Sequence, residues 1–127
     1  AGIHSVLIDP RDARHITVAI SCAGVWQSHD AGATWAPTCT GLVAEYMPPE
    51  RQSDPEAQDP HCVSQCTAQP DVLWMQHHHG MYRSSNAGHT WQRLPRPAPS
   101  DFGFPIAAHP TDPQRAWVVP AQADEAR

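Results

Sequence analysis

Short apolar runs, alternating or continuous and stopped by proline, glycine or aspartate, recur along the whole chain. Segments 5–10, 63–70 and 103–110 each begin with an apolar strand and close on a proline. Each leads to a second run: Ile16-Thr17-Val18-Ala19-Ile20, then Val72-Leu73-Trp74-Met75-Gln76, then Ala116-Trp117-Val118-Val119. A third run, 24–28 and 80–84, follows in the first two cases, and a fourth starts at Thr34-Trp35 and at Thr90-Trp91. Runs of this length, rich in β-branched and aromatic residues and bounded by turn formers, predict antiparallel strands. No stretch has apolar residues at helical spacing, and fourteen prolines and seven glycines break the chain too often for long helices. The first and third segments superpose at a constant offset of 100 residues, Pro10 on Pro110, Asp12 on Asp112 and Val18 on Val118.

Between the third and fourth strands stands a repeated phrase, Ser28-His29-Asp30-Ala31-Gly32-Ala33-Thr34-Trp35 and Ser84-Ser85-Asn86-Ala87-Gly88-His89-Thr90-Trp91. The copies start 56 residues apart, about one four-stranded propeller blade of roughly 40 to 50 residues plus an insertion. The predicted class is all-β: a partial β-propeller of about two and a half four-stranded antiparallel blades. The expected units are a blade at 3–40, an insertion loop at 41–61, a blade at 62–94 and a half blade at 102–120, all within one propeller segment. Such blades bury their faces against neighbours, so the chain is expected to be a portion of a larger propeller or to self-associate.

The phrase resembles the Asp-box, or BNR repeat, of sialidases, some other glycoside hydrolases, sortilin-like receptors and photosystem assembly factors. With Ile-Asp-Pro, Ile-Thr-Val-Ala-Ile and Gly-Val-Trp-Gln-Ser before it, the chain is similar to bacterial sialidase-like "glycosyl hydrolase, BNR repeat" proteins over residues 3 to 120. The resemblance implies a structural box formed by Ser28, Asp30, Gly32, Thr34 and Trp35, and by Ser84, Asn86, Gly88, Thr90 and Trp91, on the rim away from any active face. Asp30 is expected to accept backbone amide hydrogen bonds, Gly32 to take a positive φ, and Trp35 to pack across the hairpin. An exposed carboxylate in a glycine loop is also compatible with catalysis or calcium binding. Asn86 keeps the acceptor oxygen and loses the charge, which predicts a similar but weaker second turn. The repeat further predicts equivalent surroundings for Trp35 and Trp91. The bacterial relatives usually lack an export signal, which implies a cytoplasmic location.

Composition narrows the partners. The net charge is −5 and all eight basic residues are scattered arginines, so no basic face is available for nucleic acid. No stretch is long and apolar enough to span a membrane as a helix. Cys22, Cys39, Cys62 and Cys66 form no CxxC pair. Cys62 and Cys66 would lie about 13 Å apart on a regular strand, so free thiols are expected.

In a blade, loops two-to-three and four-to-one emerge opposite the box, and the unusual polar residues fall there. The candidate binding face comprises Cys22, His77, His78, His79, Glu50, Arg51, His61, Asp101, Asp124 and Glu125. The insertion that supplies several of them also contains Glu45, Tyr46, Asp54 and Asp59, and long loops inside compact domains are commonly functional or disordered. The leading reading is non-catalytic binding of a carbohydrate or protein ligand, with no cofactor. The first alternative is a fragment of a sialidase-like glycoside hydrolase, with Tyr46, Glu45 or Glu50, and Arg51 or Arg96 as its equipment. The second is a metal site. Strand alternation would put His77 and His79 on one face with His78 pointing away, and a third ligand would come from Cys22, His61, Asp124 or Glu125. The isolated His4, His15, His29, His89 and His109 are read as turn or surface residues.

Overall fold

The computed structural model describes residues 2–95 and 100–122. Strands β1 (Ile3–Ile8), β2 (Ile16–Ile20), β3 (Gly24–Ser28) and β4 (Ala36–Pro37) form one antiparallel sheet in sequential order. Strands β5 (Pro60–Gln65), β6 (Leu73–His77), β7 (Gly80–Ser84) and β8 (Gln92–Arg93) repeat it, and β9 (Gly103–Ala108) pairs with β10 (Ala116–Pro120). The fold is an all-β partial propeller. The fourth strands have only two residues each and begin after the tryptophans, because the box turn holds Thr34-Trp35 and Thr90-Trp91. Pro37 lacks an amide hydrogen and is tolerated because β4 is an edge strand.

The pleat decides which blade face meets which neighbour. Leu7, Ala19 and Val25 of the first sheet, with Cys39 and Leu42, pack on Val63, Leu73, Met75, Tyr82 and Trp91 of the second. Trp74 of β6 turns to the opposite face and joins Cys62, Cys66 and Val72 against Ile106, Ala108, Ala116 and Val118. All five residues of β6 are therefore buried, which is why that strand reads as continuous rather than alternating. Among the described residues the outer faces have no such cover. Val6 aligns with Val63 through the β1–β2 and β5–β6 registers, yet Val6 is 58% exposed and Val63 only 4%. Ile3, Val18, Ile20, Trp26 and Trp35 line an apolar cleft on that first outer face. At the other end Trp117, aligned with Trp74 by register, is 53% exposed against 8%.

The two boxes are alike in their hydrogen bonding. Ser28 Oγ donates to Asp30 Oδ1 (2.8 Å) and accepts from the Gly32 amide (2.8 Å), while Asp30 accepts from the Thr34 amide (2.8 Å) and hydroxyl (2.5 Å). In the second box Ser84 Oγ donates to Asn86 Oδ1 (2.8 Å) and accepts from Gly88 N (2.8 Å), and Asn86 Oδ1 accepts from Thr90 N (3.0 Å). There the Asn86 amide donates to the Thr90 hydroxyl oxygen (2.8 Å). Gly32 and Gly88 take positive φ as expected, and so do the alanines before them, Ala31 and Ala87. Each tryptophan ring lies over its own box glycine. Beyond that the expected equivalence fails: Trp35 is 41% exposed and Trp91 5%. Trp91 donates its indole N–H to Thr38 O (3.0 Å) and its amide to Thr40 O (2.8 Å), both in the preceding blade. Trp35 has no described blade before it and donates to Gly32 O of its own turn (3.0 Å).

Ser84 is buried and is the acceptor for the buried Gly88 amide. Ser84→Ala is expected to cost about 1 to 3 kcal/mol, the penalty of stranding a buried donor, read as a lower urea midpoint at unchanged slope.

The connection at 41–59 is folded. Two short 3-10 turns, Pro49–Arg51 and Pro55–Ala57, each start on a proline whose fixed φ suits that position. The Ala44 amide donates to Gln52 O (2.8 Å), closing the loop on itself. All four cysteines are unpaired.

Candidate functional site

At the end opposite the boxes, the connection is tied to the β2–β3 and β6–β7 turns of both sheets. Gly24 N–H donates to Gln58 O (3.1 Å) and His78 N–H to Asp59 O (2.9 Å). Gln58 is fully buried; its Nε2 donates to Gln52 O (2.8 Å) and Asp54 O (3.1 Å). That leaves Gln58 Oε1 to accept from His77 Nε2 (2.9 Å), while His77 Nδ1 accepts from the His79 amide (2.9 Å).

His77 is therefore a buried, neutral strut. Burial first, then the neighbouring His79, pushes its pKa down to about 3. Both ring nitrogens are committed inside the protein, so His77 does not serve as the ligand the sequence pointed to. The alternation rule fails because β6 ends at His77 and β7 begins at Gly80; residues 78 and 79 lie in a turn. His79 Nδ1 accepts from the Glu45 amide (3.2 Å).

The group at the centre is Asp59, which the sequence reading placed in the loop but not among the binding residues. Its Oδ1 accepts from Ser21 Oγ (3.1 Å) and Cys22 N (3.2 Å). Its Oδ2 lies 3.4 Å from His61 Nε2 and 3.4 Å from His78 Nδ1. Chiefly His61, with Ser21 and Cys22 adding to it, holds the Asp59 carboxyl well below the usual carboxylate range against the opposing effect of burial. For His61, burial alone would lower the pKa, but Asp59 and the Gly103 carbonyl outweigh it and raise it. The His61 ring is stacked on Phe104 at 4.8 Å between centroids, and Phe102 meets both His61 and His78 edge-on. An Asp-x-His pair running from a loop into a strand, as in Asp59-Pro60-His61, was the available signal.

Cys22, Tyr46, Asp59, His78 and His79 line an open cleft of about 400 Å³. The Tyr46 ring sits 5.1 Å from His79, and its hydroxyl donates to Ala57 O. Burial, followed by Cys22 and Asp59, raises the Tyr46 pKa, which disfavours the phenolate a tyrosine nucleophile requires.

The remaining expected residues scatter. Asp101 and Glu45 both pair with Arg93. Glu50 and Arg51 are exposed on the first 3-10 turn, where Arg51 donates to Asp54 (2.9 Å). Arg96, Asp124 and Glu125 lie outside the described residues. Among the described residues, no helix is long and apolar enough to cross a membrane.

No protein-family model matches the chain, and no curated protein sequence does either. Solved structures do. The chain superposes on an ancestral GH74 enzyme with a TM-score of 0.65 at 22% identity, over 86% of this chain and 15% of that one. It superposes on YCF48 bound to D1 peptide with a TM-score of 0.57 at 22% identity, over 85% and 31%. For YCF48 from Cyanidioschyzon merolae the TM-score is 0.60 at 20% identity, over 86% and 31%. The chain thus spans under a third of the length of each. At these identities the likeness establishes a shared propeller fold.

Proposed function

We propose that this chain is a non-catalytic, Asp-box-type segment of a propeller that binds an extended peptide of a protein partner in the cleft between Tyr46, His78 and His79. The observation that carries the reading is the convergence of both two-to-three turns and the folded connection on one open cleft. Its aromatic and imidazole walls offer stacking surface and hydrogen-bonding atoms together, as peptide-binding grooves require. One propeller of similar fold, YCF48, is described with a bound peptide. The hydrolase reading finds less support, since the Tyr46 hydroxyl is engaged with Ala57 and Glu45 with Arg93. On the same reading the exposed outer faces around Trp35 and Trp117 are covered by further blades of a longer chain or by second copies.

The test is an immobilised random-peptide array probed with the wild type and with Tyr46→Ala, beside an assay with fluorogenic sialosides and glucosides. A peptide consensus lost in Tyr46→Ala is expected, with no glycoside turnover. Hydrolysis of either glycoside, or peptide binding indifferent to Tyr46, would overturn the proposal.

A further inference from the structure

Asp59, His61 and His78 bring one carboxylate oxygen and two imidazole nitrogens within 4.8 Å of one another. His61 Nδ1 lies 2.7 Å from the Gly103 carbonyl oxygen, an atom that can only accept, so Nδ1 carries the hydrogen. In the neutral ring Nε2 then presents a lone pair, and it is aimed at Asp59 Oδ2. A second imidazole, through His78 Nδ1, is aimed at the same oxygen. With His61 neutral, its Nε2 and the Asp59 oxygen are two acceptors facing each other, an arrangement relieved by a cation between them, either a proton on the ring or a metal.

At Asp59 the spacing to each imidazole fits a metal better than a proton. Charge-assisted N–H···O contacts run about 2.7 to 2.9 Å, shorter than the 3.4 Å found at both histidines. Ligands bonded at about 2.1 Å in a tetrahedron around zinc lie about 3.4 Å apart. The outer contacts are those a metal site needs. The His61 N–H is held by a backbone carbonyl, and Asp59 Oδ1 is fixed by Ser21 and Cys22, which leaves Oδ2 for coordination. Phe104 and Phe102 set the ring planes from behind. Asp59 and His78 line the cleft, so a fourth position opens toward Cys22, Tyr46 and His79.

We propose that Asp59, His61 and His78 form a binding site for a divalent transition metal of zinc type, with three protein ligands and one open position. Two nitrogens and one oxygen are a donor set for zinc and its borderline neighbours rather than for magnesium or calcium, which prefer oxygen. The site shares His78 with the proposed peptide cleft but does not rest on the peptide reading, which is tested separately through Tyr46.

The experiment uses tag-free chain stripped with EDTA and titrated calorimetrically with zinc chloride and, separately, magnesium chloride. One equivalent of zinc is expected to bind at micromolar affinity or tighter, with no magnesium heat. His78→Gln and Asp59→Asn are each expected to weaken zinc binding by at least about tenfold, and the exposed His89→Gln to leave it unchanged. Should Asp59→Asn fail to fold, cobalt(II) replaces zinc in the wild type and in His78→Gln. The intense visible d–d bands of tetrahedral cobalt are expected in the first and absent in the second. Zinc heats no larger than those of magnesium, affinity unaffected by His78→Gln, or a pale octahedral cobalt spectrum would each overturn the assignment.

Discussion

Trp91→Ala is expected to destabilise the protein by about 3 to 5 kcal/mol, as for other buried tryptophans, whereas Trp35→Ala, at the same position of the other box, should cost well under half as much. The two residues occupy identical places in their turns, each over its own glycine. What differs is the neighbour. Trp91 closes the interface between the two blades, among Val25, Leu42 and Tyr82, and bonds to two carbonyl oxygens there. Trp35 has its own turn and the uncovered apolar face of its own sheet. Gly41 offers an independent check on that interface, because a Cβ added there would meet the Trp91 carbonyl oxygen at 2.1 Å with φ at +99°. Gly41→Ala should therefore reproduce much of the Trp91→Ala loss without touching the ring. Urea midpoints for the three variants decide the matter, and equal effects from the two tryptophans would contradict the blade-on-blade account.

Acidification is expected to destabilise the protein through His77. Folded, the buried ring stays neutral, with its pKa pushed to about 3; unfolded, it returns to an ordinary value near 6.5. Between those values the unfolded chain binds one more proton than the folded one, so stability falls as pH falls, at about 1.4 kcal/mol per pH unit for this group. From about pH 7 to about pH 5 the loss from His77 comes to about 2 kcal/mol. His61 acts with the opposite sign: its raised pKa contributes stability below the unfolded value, lost as pH rises through the folded one. The two are separated by comparing the wild type with His77→Gln, whose stability should change less over that interval whatever its starting value. Parallel profiles would show that His77 is not held neutral.

Much of the architecture was readable because it is local. Proline-closed strands, the 100-residue offset and the two boxes follow from period-two patterning and turn chemistry, and the sheets form where these placed them, though β5 starts at Pro60, earlier than the apolar run at Val63 indicated. Local pattern does not report on what lies across an interface. Val6 and Val63 sit at corresponding positions of similar strands, and only the neighbouring sheet distinguishes them. The site was half legible for a related reason. The cluster of histidines at one end followed from strand direction, but which ring turns inward depended on where β6 stops. Asp59 could not be told from Glu50, Asp54 or Glu56 until the 3-10 turns at 49–51 and 55–57 aimed it back at the blades.

The exchange of Asp30 for Asn86 reverses the polarity of one bond. At the first box the Thr34 hydroxyl donates to a carboxylate, and at the second the Thr90 hydroxyl accepts from an amide. The Asp30 carboxyl, held down to about 2 mainly by Thr34 and Ser28, remains a titratable latch whose contribution is complete above the ordinary aspartate range and is lost as the solution is acidified through that value. Asn86 has no proton to gain. In strong acid the two hairpins should part company, the first releasing its threonine while the second keeps its shape, so that amide exchange at Thr34 accelerates before exchange at Thr90.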